Sequence, residues 1–165
     1  MKKKISKHSH LPLYGVGPVI VFGQYLITGA AIMLSYTYKW DFLEFWLLNV
    51  PLKLIGILFI IFGIYLGYLA KRKAKLFENV SDNTLIVDGI YSAVRNPVYS
   101  GAFFMCIGAI CMTNKLILFA VILICWMYMS VFLIFTEEKW LKDLYGQAYT
   151  DYCKKVNRCI PWFSK

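Results

Sequence analysis

Charge is what this chain has least of. Asp, Glu, Lys and Arg make up 16% of its 165 residues, and acids are the scarcer sign, nine against eighteen bases. With 59% hydrophobic and 18% aromatic residues, so little polar surface cannot coat a water-soluble globule, even at a net charge of +9. Histidine is nearly absent, and the five cysteines form no CxxC pair and no Cys/His cluster with metal spacing, so no metal site is expected. Cys106, Cys111 and Cys125 fall inside apolar runs, Cys153 and Cys159 in a basic tail, and all read as reduced structural residues. Long repeats, low-complexity tracts and sharp composition breaks are also missing, which leaves a single domain over residues 1–165.

What the chain has is apolar length. Runs from Val19 to Tyr38, Leu52 to Ala70, Val98 to Thr113 and Leu116 to Phe135 predict an all-α, polytopic membrane protein with four transmembrane helices. The third run is short: at ~1.5 Å per residue it reaches ~24 Å against a ~30 Å hydrocarbon core, so it must sit within protein or the bilayer must thin around it. Asn114 and Lys115 separate the last two runs, which predicts a tight helical hairpin with these residues at its tip. In the second run Gly56, Gly63 and Gly67 include the spacing "GIYLG", which lets another helix approach closely. Beyond the fourth run, Leu141, Tyr145, Ala148, Tyr152 and Val156 recur at helical spacing among lysines and acids and predict a C-terminal amphipathic helix lying along the cytoplasmic interface.

Basic residues set the orientation. Lys2, Lys3, Lys4, Lys7, Lys71, Arg72, Lys73, Lys75, Arg95, Lys139, Lys142, Lys154, Lys155, Arg158 and Lys165 flank one face, against Lys39, Lys53 and Lys115 on the other, so both termini are expected in the cytoplasm. The start "KKKISKHSH" resembles a signal-peptide n-region, but the apolar run behind it is too long and lacks a small-residue cleavage pattern; it reads as a retained orientation signal, in preference to a metal role for His8 and His10.

The stretch "GIYSAVRNPVYSG", Gly89 to Gly101, leads into the third run. Asn96 is a good helix cap and Pro97 suits the first helical position. Arg95 is out of place there, because a cation opposes the dipole at a helix N-terminus, and Glu137 and Glu138 pose the mirror-image problem by closing the fourth run. A hairpin brings both anomalies to the same side of the membrane. The pattern therefore predicts that Arg95 and the glutamates meet, either as an interfacial ion pair or as the wall of a shared cavity.

These residues resemble a known family. "GIYSAVRNPVYSG" is similar to the signature G-x-Y-x-x-x-R-[HN]-P-x-Y-x-G, and "EEKWLKDLYGQAYTDYCKKVNRCIP" to the tail E-E-x-x-L-x-x-x-[FY]-G-x-x-Y-x-x-Y-x-x-x-V-x-R-x-x-P, of isoprenylcysteine carboxyl methyltransferases and phospholipid methyltransferases. The likeness covers Gly89 to Pro161, and Asn96 stands where the signature often has histidine. It implies an enzyme that binds S-adenosylmethionine and methylates a lipidic acceptor: an isoprenylated cysteine carboxylate, a phospholipid amine or another hydrophobic small molecule. Residues 18–70 would then hold the first two transmembrane helices, and 71–161 the cofactor-binding loop, the hairpin and the C-terminal segment.

Carried over residue by residue, the resemblance places Tyr91, Arg95, Asn96, Pro97, Tyr99 and Glu138 at the cofactor, with Arg95, Glu137 and Glu138 as catalytic residues. Arg95 and the free N–H groups of the third helix suit a carboxylate, Glu138 suits ribose hydroxyls, and Tyr91 or Tyr99 suits the sulfonium cation. An amine acceptor would need a base, for which Glu137, Glu138 and Asp88 are the candidates. Lys71, Arg72, Lys73 and Lys75 either attract an anionic headgroup or mark the cytoplasmic flank. The expected partners are the bilayer and a lipidic or lipidated substrate, and no nucleic acid. Two other readings stay open: an NADPH-dependent membrane reductase, which resembles this family in its C-terminal hairpin, and a non-catalytic helical scaffold.

Overall fold

The computed structural model describes residues 16–40, 48–73 and 85–162. In chain order the elements are α1 (Gly17–Thr37), α2 (Asn49–Lys73), a 3-10 turn (Gly89–Ser92), α3 (Pro97–Thr113), a second 3-10 turn (Leu116–Leu118), α4 (Phe119–Phe135), α5 (Glu137–Tyr145) and α6 (Gln147–Lys155). A parallel bridge pairs Val94 with Asn157. The N-terminal tail with His8 and His10, residues 74–84 with Lys75, the side chains of Arg72 and Lys73, and Lys165 lie outside the described residues.

Gly17–Thr37, Asn49–Lys71 and Leu116–Tyr145 are long and apolar enough to cross a membrane, the last being divided at Thr136, where the backbone (φ −121°, ψ −87°) leaves the helical region. Phe22, Leu26, Leu58 and Phe135 point outward from the bundle, as side chains facing hydrocarbon should. α3 is the short element, with 17 residues. It compensates by burial: it packs between α2 on one side and α1 with α4 on the other.

The two faces of α3 are built differently. Toward α2 the backbones nearly touch: a Cβ added to Gly63 would lie 2.5 Å from the Gly101 carbonyl oxygen, and one added to Gly108 would lie 2.5 Å from that of Gly56. The expected close approach is therefore present. Gly56 and Gly63, two turns apart, leave no room for a Cβ, and the Gly67 backbone nitrogen lies 3.3 Å from where a Cβ on Gly101 would sit, while a Cβ on Gly67 itself would meet nothing within 4 Å. Toward α1 and α4, ordinary side chains fill the space, among them Ile20, Phe103, Ile110, Cys125, Met129 and Leu133.

At the hairpin tip Asn114 takes the left-handed conformation (φ 57°) that ends α3. Lys115 beside it is 1% exposed. Its Nζ donates to the Ser35 carbonyl at 3.1 Å and lies 4.3 Å from the Tyr36 ring centroid, placing a cation at the C-terminal end of α1, where the helix dipole favours it.

The C-terminal segment is two short helices rather than one. Gly146 divides them at φ 58° and ψ −124°, a conformation open to glycine alone. Ala148, expected on the apolar face, is exposed, and Tyr149 turns inward instead, joining Tyr152 and Val156 against Leu85, Leu141 and Tyr145.

Candidate active site

The fold brings three stretches to one end of the bundle: the loop and turn from Asp88 to Asn96, the α4–α5 junction at Thr136, and the tail after α6. The breaks in the chain explain the charges there. Thr136 ends α4, so Glu137 and Glu138 are the first residues of α5 rather than the last of α4. Two carboxylates then sit at a helix N-terminus, where the dipole favours them, and the mismatch expected from the sequence disappears. Arg95 lies outside α3, and its guanidinium turns away from that helix toward Glu138.

Arg95 and Glu138 meet as the charge pattern predicted. Arg95 Nη1 lies 3.1 Å from Glu138 Oε1, with side-chain exposures of 9% and 4%. A second guanidinium joins them: Arg158 donates from Nε to Glu138 Oε1 at 2.6 Å and from Nη2 to Oε2 at 3.0 Å, the bidentate fork that fits a carboxylate best. Two cations thus share one buried anion. Arg95 Nη1 also donates to Cys153 Sγ at 2.6 Å, and Arg95 Nε is buried with no hydrogen-bond partner among the described residues.

Glu137 takes a different direction from its neighbour. It accepts a hydrogen bond from the Tyr99 hydroxyl. Tyr91, buried on the preceding turn, lies close enough for the Glu137 charge to act on it; burial first, and that charge second, push its phenol far above the ordinary range, so it stays a neutral donor. The site has two electrostatic halves: a cationic one around Arg95, Arg158 and Glu138, and an anionic, aromatic one around Glu137, Tyr99 and Tyr91.

Asn96 precedes α3 with Pro97 as its first residue, as the sequence predicts, but its side chain does not cap the helix. Nδ2 reaches across to the Arg158 carbonyl at 3.0 Å, while its own carbonyl accepts from Ser100 through both N–H and Oγ, each at 2.9 Å. Tertiary contact supplies a better partner than the helix does. Asp88 is not brought in: it stands exposed before the turn and contributes its carbonyl to the Tyr91 N–H.

The tail holds the loop along its length. Arg95 N–H donates to the Asn157 carbonyl at 2.9 Å, Trp162 N–H to the Ala93 carbonyl at 3.1 Å, and the Tyr152 hydroxyl to the Tyr91 carbonyl at 2.5 Å. Arg158, Tyr152 and Cys153 are the residues that sequence reasoning left out of the site. Arg158 had a signal, since it is the arginine of the quoted tail signature; nothing in the spacing shows that it faces Glu138.

A family model described as phospholipid methyltransferase matches residues 52–148, more than half of the chain. The chain belongs to that family. Membership, together with three helices fit to cross a bilayer, makes it a multi-pass membrane protein. Among curated relatives, it is 37% identical over 86 residues to a protein-S-isoprenylcysteine O-methyltransferase of Tribolium castaneum, covering 52% of this chain and 30% of that protein. The protein of the same description in Saccharomyces cerevisiae is 33% identical over 116 residues, covering 66% of this chain and 48% of the relative. Methanethiol S-methyltransferase 1 of Bradyrhizobium diazoefficiens is 34% identical over 73 residues, 44% of this chain and 25% of that protein. The chain thus spans less than half the length of each of these three family relatives. No solved structure matches it.

Proposed function

We propose that this chain is an integral membrane methyltransferase that uses S-adenosylmethionine and methylates a lipidic acceptor, with the carboxylate of an isoprenylated cysteine as the first candidate. The observation that carries the reading is the buried cluster of Arg95, Arg158 and Glu138 beside Glu137 and Tyr99. These residues fit the cofactor's charges. Two guanidiniums around one carboxylate leave a net positive charge, and the partnerless Arg95 Nε adds a donor, so that half suits the carboxylate of an amino-acid tail. Glu137 with Tyr99 and Tyr91 suits a cationic sulfonium or ammonium. The curated relatives that carry methyltransferase names support the reaction class.

When bound, S-adenosylmethionine supplies a methyl group already activated by its sulfonium, so the protein needs no nucleophile of its own. Its contribution is position. Arg95 would hold the anionic end and Glu137 would face the cationic centre, in a buried setting that excludes water; alignment of this kind lowers a barrier by up to ~7–11 kcal/mol. A carboxylate acceptor gives up no proton. An amine acceptor does, and Glu137 is the carboxylate left to take it, because both oxygens of Glu138 are held by guanidiniums.

In the same reading α3 completes a fourth crossing, both termini are cytoplasmic, and α5 with α6 lies along the cytoplasmic interface. The exposed Lys139, Lys142, Lys154 and Lys155 on those helices, with the exposed Trp140 and Trp162, support this placement. Purified protein in nanodiscs, given methyl-labelled S-adenosylmethionine with S-prenylated cysteine, an ethanolamine phospholipid or a lipid extract, should transfer label to a lipid detectable by mass spectrometry. Label in none of these, or tight binding of NADPH with no affinity for S-adenosylhomocysteine, overturns the proposal.

A further inference from the structure

We propose that Arg158 is a positioning residue of this site, and that the tail around it is part of the binding machinery. The inference rests on the cofactor reading above and adds a residue to it. Three contacts converge on this position from different elements. The side chain forks onto both oxygens of Glu138 at the start of α5. Its own carbonyl accepts from Asn96 Nδ2 at the entrance to α3, and the preceding carbonyl, of Asn157, accepts from Arg95 N–H. One turn of tail therefore fixes the orientation of Glu138, Asn96 and the Arg95 backbone at once.

The geometry explains why an arginine is required. A fork fixes the plane of the Glu138 carboxylate, whereas an ammonium fixes only a distance. With Oε1 also 3.1 Å from Arg95, the plane of that carboxylate decides which way its remaining lone pairs and the Arg95 guanidinium can face. At 29% side-chain exposure, against 4% for Glu138, Arg158 approaches from the outer side and closes the cluster against water. It acts through Glu138 and Asn96, not through the reacting atoms.

The test compares Arg158→Lys and Arg158→Ala with wild type in nanodiscs. S-adenosylhomocysteine affinity is measured by calorimetry below the melting temperature of every variant, and Arg95 amide exchange is followed by hydrogen–deuterium mass spectrometry. Arg158→Ala should weaken binding about 10-fold or more and speed exchange of the 93–97 segment; Arg158→Lys should fold like wild type yet recover only part of the affinity. A purely structural arginine would lower the melting temperature of both variants and leave affinity unchanged, which overturns the inference. Wild-type protein that binds no S-adenosylhomocysteine overturns the cofactor reading and this inference with it, whereas wild-type binding that both variants retain in full overturns this inference alone.

Discussion

Replacing Glu138 with glutamine keeps the shape of the side chain and removes its charge, leaving Arg95 and Arg158 facing each other across a neutral amide. Glu138 is 4% exposed at its side chain and lies 2.6 Å from one guanidinium and 3.1 Å from the other, so water cannot replace what is lost. Removing one partner of a buried ion pair costs about 3–5 kcal/mol. Arg158 retains some solvent contact at 29% exposure, which screens part of its charge and places the loss near the lower end, about 3 kcal/mol. For a chain of this size that corresponds to a fall in melting temperature of roughly 6–12 °C. Differential scanning fluorimetry in nanodiscs, using the intrinsic tryptophans, measures it directly. The same experiment with S-adenosylhomocysteine at about a hundredfold over its Kd should raise wild-type stability by about 2.7 kcal/mol and the Glu138→Gln protein by much less. A Glu138→Gln melting temperature within about 1 °C of wild type would refute the buried-cluster argument. A large baseline loss, with no ligand-dependent shift even in wild type, would favour the non-catalytic scaffold.

Two further outcomes follow from the packing and the tail. Gly101→Ala puts a methyl group 2.6 Å from the Gly63 carbonyl oxygen and should cost about 1–3 kcal/mol by forcing α2 and α3 apart, while Gly67→Ala, with open space around its new methyl, should melt no lower than wild type. Burial pushes the Cys159 thiol from 9.0 up to about 11, so the folded protein holds that proton more tightly than the unfolded chain does. The contribution is complete below about pH 9 and is lost as pH rises toward 11, a fall of about 2–3 kcal/mol. Melting curves across that range should show it, and Cys159→Ala should flatten the decline; an equally steep decline in the variant would refute the assignment.

The helices were legible because each one has to be. An apolar run with few charges has one stable form in hydrocarbon, and that condition fixed α1, α2 and α4 to within a few residues of where the hydropathy places them. Turn chemistry did the same locally: Pro97 opens α3, and Asn114 with Lys115 makes the hairpin tip. The amphipathic period beyond α4 was legible only in part: Leu141, Tyr145, Tyr152 and Val156 share the inner face as expected, but Gly146 divides the segment into two helices and Tyr149 is buried while Ala148 is exposed.

The charges of the site were visible as anomalies, residues whose sign was wrong for the helix end they were assigned to. Sequence by itself predicted that Arg95, Glu137 and Glu138 lie at one end of the helical hairpin, where the start of the third apolar run and the end of the fourth come together. Only the tertiary structure decided how they are shared. The break at Thr136 turns Glu138 toward Arg95 and Glu137 toward Tyr99, and the returning tail brings Arg158 and the peptide of Asn157 to a loop some sixty residues earlier. Periodicity carries information over a few turns of one helix. Contacts at that separation depend on the path of the chain between them, and that path is set by packing.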